Sequence, residues 1–328
     1  MDGPLLTVEN LNVRFRTPIG DVHAVQGISF DSERGQILGL VGETGCGKSV
    51  TGRSILGLVP HPGKITEGRI IFDGQDLLAL SENDMQQVRG ERIAMIFQDP
   101  ATALNPVFTI GRQIIFVMKH HGVAKGADLK KRALRLLDDV GLPDPASLMD
   151  VYPHQLSGGM QQRAMIAMTL SSDPDLLIAD EPTTALDVTI QAQILALLNS
   201  LQRARNISIL LITHNLGVVA ETCRRVVVLY AGRIAEYGDV RDIFHRPRHP
   251  YTQGLLAALP NPGRRGNALN VIPGMVPSGL DPAPGCAFAP RCGYVMDVCS
   301  QRQPLPYKVG PGHQSACFLH EKAEGREV

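Results

Sequence analysis

The chain has 328 residues, enough for one large domain with an appendage or for two modest domains. Lys plus Arg and Asp plus Glu are equal at 32 each, so the net charge does not indicate nucleic acid or an anionic surface as the main partner. No apolar stretch approaches the ~20 residues that span a bilayer, and residues 1–9 lack the basic and apolar regions of a secretory signal. We therefore expect a cytosolic protein that meets a membrane only through other proteins.

The first hundred residues alternate short β-like runs with turns. After them the segment from about 101 to 170 reads as helical, and from 171 to about 240 strands and helices alternate again. This βαβ alternation indicates an α/β protein with a mainly parallel sheet covered by helices. The predicted strands are 5–15, 24–30, 36–41, 69–72, 93–97, 176–179, 208–213 and 226–229, and the predicted helices include 50–58 (closed by Pro60) and 189–204.

One apolar stripe marks a helix inside the middle segment. Apolar residues recur there at helical spacing, and Gly141 and Pro143 follow the last of them. This pattern predicts an amphipathic helix that buries one face. The stripe consists of Leu129, Ala133, Leu136, Leu137 and Val140.

A glycine-rich run follows the apolar stretch 36–41 and precedes a predicted helix. Glycines let successive backbone N–H groups curl around phosphate oxygens, and the helix N-terminus adds partial positive charge. Lys48 is expected to reach the β- and γ-phosphates of a nucleotide, and the Ser49 hydroxyl is expected to ligate Mg²⁺. The predicted phosphate-binding loop consists of Gly42, Glu43, Thr44, Gly45, Cys46, Gly47, Lys48 and Ser49.

Two carboxylates end the buried-type strand 176–179. Asp180 is expected to contact Mg²⁺, either directly or through a metal-bound water. Glu181 can polarise the attacking water as a general base. Together with the phosphate loop, this pair predicts nucleotide hydrolysis.

The run Leu156-Ser157-Gly158-Gly159-Met160-Gln161-Gln162-Arg163 resembles the signature motif of ATP-binding cassette (ABC) ATPases, which other phosphate-loop enzymes lack. Ser157 is placed to cap a helix whose N-terminus forms a second anion site. The resemblance implies that this N-terminus faces the γ-phosphate bound by the opposite subunit of a head-to-tail dimer. The implied signature residues are Leu156, Ser157, Gly158, Gly159 and Gln161.

Further motifs follow in the order of that family. Gln98 resembles the loop glutamine that contacts Mg²⁺ and the attacking water, and His214 resembles the switch histidine that holds the γ-phosphate. Ala185-Leu186-Asp187 resembles the loop that crosses the dimer interface, which implies an interface role for Asp187.

Adenine binding is less defined in the sequence, because Phe15 either stacks on adenine or belongs to the core of the first strand.

The resemblance implies a RecA-like phosphate-loop NTPase core with an antiparallel β subdomain and an inserted helical subdomain at about 101–170. The ABC ATPase domain is expected over residues 1–245. A loop-rich, cysteine-containing extension is expected over residues 246–328.

That extension holds four of the six cysteines of the chain: Cys286, Cys292, Cys299 and Cys317. Their spacing favours a metal site over disulfides or free thiols, and it leaves zinc and iron–sulfur both open. His249-Pro250-Tyr251-Thr252 and Gly285-Cys286-Ala287-Phe288-Ala289-Pro290-Arg291-Cys292 resemble the C-terminal extension of dipeptide/oligopeptide importer ATPases. That resemblance implies a [4Fe–4S] cluster at the four cysteines, with zinc as the alternative.

The resemblance also implies the partners. These are a second, non-identical ATPase subunit, two membrane permeases and an extracytoplasmic binding protein reached through the permeases, at the cytoplasmic face of the inner membrane. The implied function is ATP-driven import of di- or oligopeptides, and the alternative is another small solute of the same subfamily, such as nickel or glutathione. A chromosome-organising ATPase is disfavoured, because only 115 positions separate Gly42 from Ser157 and no long coiled coil intervenes.

Overall fold

The computed structural model describes residues 3–184, 186–259, 272–280, 282 and 284–323. The chain forms two compact units. The first comprises Met1–Glu33, Ile37–Leu78 and Ile212–Val328, and the second comprises Arg34–Gln36 and Ala79–Leu211. The expected boundary at 245/246 stays a prediction, and residues on both sides of it belong to the first unit.

The strands are, in chain order, β1 Leu6–Thr17, β2 Gly20–Ser32, β3 Ile37–Val41, β4 Gly63–Phe72, β5 Gln75–Asp76, β6 Ile93–Ile96, β7 Leu176–Asp180, β8 Ser208–Thr213, β9 Arg225–Tyr230, β10 Arg233–Asp239, β11 Tyr307–Gly310 and β12 His313–Ser315. The helices are α1 Lys48–Ile55, α2 Glu82–Val88, α3 Pro100–Ala103, α4 Ile110–His120, α5 Ala127–Asp139, α6 Pro145–Leu148, α7 Gly158–Thr169, α8 Val188–Arg205, α9 Leu216–Thr222, α10 Val240–His245, α11 Pro250–Ala257 and α12 Asp297–Gln301.

Two kinds of sheet meet in the first unit. The order β2-β1-β4-β5 makes an antiparallel sheet, in which β1 alternates buried and partly exposed residues as a one-sided strand does. The strands of the second sheet that belong to this unit have the order β11-β12-β10-β9-β3, and β3 and β9 run parallel. Every residue of β3 is buried, as expected for a parallel strand covered on both faces.

The second unit contains β6, β7, the first four residues of β8 and most of the helices. Strands β6 and β7 run parallel, and both are buried throughout. The predicted apolar stripe is confirmed, since Leu136 and Leu137 of α5 are buried together with the other three stripe residues. The helix ends where Gly141 adopts a φ of 70°, a left-handed conformation that suits glycine.

The helix after the phosphate loop is shorter than predicted. It was expected to run over 50–58 with Pro60 as its stop, but α1 ends at Ile55. Gly57 adopts a φ of 63° and its N–H bonds to the Ser54 carbonyl, while the Leu58 N–H bonds to the Arg53 carbonyl. This pair of bonds is a Schellman motif, so Gly57 ends the helix before Pro60 is reached.

The C-terminal segment carries regular structure that its composition did not indicate. Besides α11, it forms the hairpin of β11 and β12, and β12 pairs antiparallel with β10 through Glu236 and Ser315. The hairpin therefore extends the sheet of the first unit beyond β10. Among the described residues, no helix is long and apolar enough to cross a bilayer.

A buried polar cluster joins this segment to β10. Glu236 is fully buried and accepts hydrogen bonds from the backbone N–H groups of Arg248 (2.7 Å) and His249 (2.9 Å) and from Nε2 of His313 (2.7 Å). His249 caps α11, because its Nδ1 accepts the N–H of Tyr251 at 3.0 Å. Burial lowers the pKa of His249 to about 4, against smaller opposing effects of Glu236 and the Ala316 backbone. The imidazole is therefore neutral near pH 7.

This lowered pKa predicts an acid-sensitive fold. Between about pH 6.5 and 4 the unfolded chain binds a proton at His249 that the folded chain does not, so this contribution to stability is present above about pH 6.5 and is lost as the pH falls. We expect a loss of roughly 1–3 kcal/mol in the free energy of unfolding from this residue. The measurement is urea unfolding at several pH values.

The matched control is His249→Asn, which keeps a helix-capping oxygen but does not titrate. The difference in unfolding free energy between the wild type and this variant should change with pH below 6.5. Contributions from the rest of the chain occur in both proteins and largely cancel in this difference. A constant difference from pH 7 to pH 4 would contradict the assignment.

Candidate active site

The phosphate loop is shaped by glycines that no other residue can replace. Gly42 follows β3 with a φ of 152°, and a Cβ there would overlap the carbonyl oxygen of Leu229. Gly47 has a φ of 102°, and a Cβ there would overlap the carbonyl oxygen of Ala24. The loop thus turns from a buried strand into the N-terminus of α1 with backbone packed against backbone.

Lys48 is the first residue of α1 and is 5% exposed. Its Nζ donates hydrogen bonds to the carbonyl oxygens of Gly42 (2.8 Å) and Glu43 (3.0 Å). The ammonium therefore lies inside the curve of the loop, where its charge meets carbonyl dipoles. A phosphate oxygen that enters the loop offers Lys48 a stronger, charged acceptor than these carbonyls.

The rest of the loop divides into an exposed tip and a buried base. Thr44 and Gly45 are exposed, whereas Cys46 is fully buried at 0% exposure. Burial raises the pKa of the Cys46 thiol, despite the opposing effect of Lys48. Cys46 is therefore a neutral, packed thiol, and the exposed tip is the part of the loop that is open to a ligand.

The two candidate catalytic carboxylates lie at the end of β7, in the second unit. Asp180 is the last residue of that strand and is 1% exposed. Glu181 comes next with a φ of 48°, in the left-handed region that costs a non-glycine residue about 1 kcal/mol. The Thr184 hydroxyl donates to its carboxylate at 2.6 Å. This backbone strain at the predicted general base is typical of functional positions.

Gln98 and His214 each follow a buried strand. Gln98 is exposed two residues after β6 in the second unit. His214 is exposed and directly follows β8, and it belongs to the first unit. The next residue, Asn215, caps α9. Both side chains thus extend from the carboxyl ends of strands, where α/β folds place their ligands.

The signature motif forms a capped helix start, as predicted. The hydroxyl of Ser157 accepts the N–H of Met160 at 3.4 Å, and α7 begins at Gly158. Ser157 and Gly158 are exposed, whereas the preceding Leu156 is buried. The first residues of the helix are therefore open to solvent, and the buried leucine fixes their position. Gln161 donates its amide to the carbonyls of Pro153 (2.9 Å) and Leu156 (3.2 Å), which holds the loop before the helix.

The same device recurs at α8, and sequence reasoning missed it. Asp187 caps α8 by accepting the N–H of Ile190 at 2.9 Å. Gln191, four residues after this cap, donates to the carbonyls of Thr183 (2.9 Å) and Leu186 (3.2 Å). The sequence pattern that could have revealed this arrangement is a glutamine four residues after a capping residue. Gln161 stands in the same relation to Ser157. Ala185, named with this loop above, lies outside the described residues.

Phe15 is half-buried on β1, opposite Gly63 of β4. A Cβ at Gly63 would lie 2.6 Å from Cε1 of Phe15, so the ring packs closely over that glycine. This packing is a structural role within the antiparallel sheet. The adenine-stacking role of Phe15 stays a proposal.

Comparison with known proteins identifies the family of the chain. A model of the ABC transporter family matches residues 25–184, and a model of the oligopeptide/dipeptide transporter C-terminal region matches residues 235–299. The dipeptide transport ATP-binding protein DppD of Escherichia coli is 49% identical over 322 residues, covering 98% of each chain. The chain belongs to the ABC transporter family. It is an ABC ATPase with the C-terminal extension of the oligopeptide/dipeptide group.

Other relatives and solved structures agree with this assignment. A probable peptide ABC transporter ATP-binding protein of Sinorhizobium fredii is 51% identical, covering 96% of this chain and 94% of the relative. A dimeric bacterial ABC transporter cassette superposes with a TM-score of 0.65 at 26% identity, over 72% of this chain and 99% of the cassette. An ABC transporter cassette of Clostridium perfringens superposes with a TM-score of 0.64 at 30% identity, over 75% of this chain and 92% of the cassette. The predicted α/β phosphate-loop fold is confirmed.

The prediction of a metal site in the extension is wrong. In the part of the chain that the structure describes, no group of three or more His, Cys, Asp or Glu side chains is arranged to hold a metal ion. The E. coli relative is named only as an ATP-binding protein. Neither the [4Fe–4S] cluster nor the zinc alternative is therefore supported at Cys286, Cys292, Cys299 and Cys317.

The structure instead places two of these cysteines, Cys286 and Cys299, in apolar packing. Cys299 is buried with Tyr307 and Phe318, and Cys286 packs against them. Burial raises the pKa of the Cys286 and Cys292 thiols and raises that of Cys317 to about 11. In these surroundings the thiols without a metal are neutral.

The loop geometry predicts different outcomes for alanine substitutions at two glycines with the same φ angle. Gly45 and Gly74 both have a φ of 82°, and a Cβ would meet nothing within 4 Å at either position. Alanine should therefore cost each about 1–2 kcal/mol of stability. Only Gly45→Ala places a methyl group at the open tip of the phosphate loop, so we expect it alone to weaken MgATP binding, by about tenfold or more.

The measurement is equilibrium binding of MgATP to each variant, with thermal unfolding as the stability control. Equal loss of affinity in Gly45→Ala and Gly74→Ala would mean that general strain, not the loop tip, determines binding.

Proposed function

We propose that this chain is the ATP-binding and ATP-hydrolysing subunit of an importer that carries di- or oligopeptides across the cytoplasmic membrane. The main support for this proposal is the similarity of the chain to dipeptide and oligopeptide transport ATP-binding proteins. This similarity extends over nearly the whole chain and includes the C-terminal extension. As an ABC ATPase of such a transporter, it works with membrane permeases and in cassette pairs. We place it at the cytoplasmic face of the inner membrane, bound through the permeases.

The proposed binding step uses the phosphate loop of the first unit. Lys48 exchanges the carbonyls of Gly42 and Glu43 for the β- and γ-phosphate oxygens. Ser49, Asp180 and Gln98 supply hydroxyl, carboxylate and amide oxygens, a hard donor set that fits Mg²⁺. A bound Mg²⁺ would neutralise charge on the phosphates. We assign ATP and Mg²⁺, but no further cofactor, to the site.

In the proposed hydrolytic step, Glu181 accepts a proton from the attacking water while His214 holds the γ-phosphate and orients Glu181. The capped N-terminus of α7 in the partner subunit completes the site, through Ser157 and Gly158. Asp187, at the start of α8, is assigned to the interface between the two subunits. Hydrolysis removes the phosphate that bridges the head-to-tail dimer, and the subunits separate.

The cassette pair is proposed to consist of two non-identical chains, each with one permease. The extracytoplasmic binding protein delivers the solute to the permeases. A nickel or glutathione transporter of the same subfamily is the second candidate function.

Replacing Glu181 tests the hydrolytic step. Glu181→Gln keeps the size of the side chain but cannot take a proton, so we expect turnover to fall by at least about a hundredfold while MgATP still binds. Glu33→Gln, at an exposed carboxylate, is the matched control and should keep wild-type turnover. The measurements are phosphate release and MgATP binding. Normal turnover in Glu181→Gln would show that another group is the base.

The solute class is tested in the complete transporter. With both ATPase chains, the permeases and the binding protein in proteoliposomes, we expect ATP hydrolysis to rise several-fold when a dipeptide or a short oligopeptide is present. The comparison solutes are glutathione and Ni²⁺. Stimulation by one of these but not by peptides would replace the peptide assignment with the second candidate.

A further inference from the structure

The phosphate loop is held from outside by the C-terminal extension. The carboxylate of Glu43 accepts two hydrogen bonds from the guanidinium of Arg291, at 2.9 and 3.2 Å. The backbone N–H of Glu43 donates to the hydroxyl of Tyr251 at 3.0 Å. The partners lie 248 and 208 positions away in the chain, and all belong to the first unit. Glu43 is thus fixed at both its side chain and its backbone.

Arg291 is prepared for this contact by its own surroundings. Its side chain is 6% exposed, and it also donates to the carbonyls of Pro273 (2.8 Å) and Ile272 (3.2 Å). A forked pair with a buried arginine and a partly buried carboxylate is stronger and more directional than an exposed ion pair. For comparison, Arg302 in the same extension pairs with Glu321 at 56% and 35% exposure.

Aromatic packing fixes the second contact. Tyr251, the second residue of α11, is fully buried, and its ring centroid lies 4.6 Å from that of Tyr230 on β9 and 5.4 Å from that of Phe288. Phe288 also meets Tyr230 edge-on at 5.2 Å. Three interlocked rings therefore anchor the hydroxyl that receives the Glu43 N–H.

Glu43 is also linked to the predicted phosphate ligand, because its carbonyl oxygen accepts the Lys48 ammonium at 3.0 Å. We propose that Arg291 and Tyr251 form an extension clamp, which positions the phosphate loop for MgATP and sets its affinity. The clamp does not touch the nucleotide and acts through Glu43. This inference rests on the proposed function as an ATPase and adds a role for the extension in nucleotide binding.

The expected effect follows from preorganisation. A loop that is held in its binding conformation loses less conformational entropy when the ligand arrives, so affinity is higher. Without the Arg291 contacts, the partly buried Glu43 carboxylate loses its charged partner and the loop samples other conformations. We expect the KM and Kd for MgATP to rise while kcat changes little, because the clamp contacts none of the reacting atoms.

The test compares four single variants of the full chain. Arg291→Ala removes the side-chain contact, Arg291→Lys keeps the charge but loses the fork, and Tyr251→Phe removes only the hydroxyl. Arg302→Ala is the matched control, because it removes another ion-paired arginine of the same extension. Equilibrium MgATP binding gives Kd, steady-state hydrolysis gives KM and kcat, and thermal unfolding reports stability.

We expect Kd to rise about tenfold in Arg291→Ala, less in Tyr251→Phe and Arg291→Lys, and not at all in Arg302→Ala. A double-mutant cycle of Glu43→Gln with Arg291→Ala should be strongly non-additive, since both changes remove one interaction. If Arg291→Ala fails to fold, the two conservative variants carry the test.

Wild-type Kd and KM in Arg291→Lys and Tyr251→Phe, together with an additive cycle, would overturn the clamp while leaving the ATPase assignment intact. A fall in kcat at constant Kd would also overturn it, because the effect would then lie in the chemical step. Failure of the wild-type chain to bind MgATP would instead overturn the proposed function on which the clamp rests.

Discussion

The positive φ angles of the phosphate loop are the constraint on which the rest of the site depends. Gly42 and Gly47 bring the loop backbone against the carbonyls of Leu229 and Ala24, so tightly that no side chain fits between them. That close approach directs the curve of the loop inward and buries Lys48 within it. A glycine-rich loop of this kind can direct successive backbone N–H groups towards a phosphate.

Outside the phosphate loop, the candidate site depends on helix N-termini whose preceding loops are fixed by side-chain hydrogen bonds. At α7 and α8 the capping residue orients the first turn, and a glutamine four residues later fixes the preceding loop. A helix N-terminus attracts anions only if its N–H groups keep their direction. These glutamine bonds supply that rigidity at both of the helix starts assigned to the dimer interface.

The extension is integrated with the fold through polar and aromatic contacts. Glu236 collects three hydrogen bonds from it, and β12 continues the sheet beyond β10. Cys286 and Cys299 add apolar packing around Tyr307 and Phe318, and the described residues contain no group arranged to hold a metal ion. The clamp on Glu43 is one further contact of a segment that is already tied to the sheet of the first unit.

The sequence by itself determined the fold class and the local structure around the site motifs. A glycine-rich loop between strand and helix, two carboxylates after an apolar strand, and the apolar stripe of α5 are all patterns whose meaning lies within a few neighbouring residues. The Ser157 cap was readable for the same reason, because a cap and its helix are adjacent in sequence. The end of α1 was misjudged, since Gly57 stops a helix earlier than Pro60 does.

Only the tertiary structure decided what the extension contacts and whether its cysteines gather around a metal. The four cysteines have a suggestive spacing, yet their burial and neighbours, which depend on the folded packing of Tyr307 and Phe318, keep the thiols neutral. The link from Arg291 to Glu43 spans 248 positions, and no local pattern encodes a partner at that distance. Sequence patterns report interactions between near neighbours, whereas burial and long-range pairing arise only when the whole chain has folded.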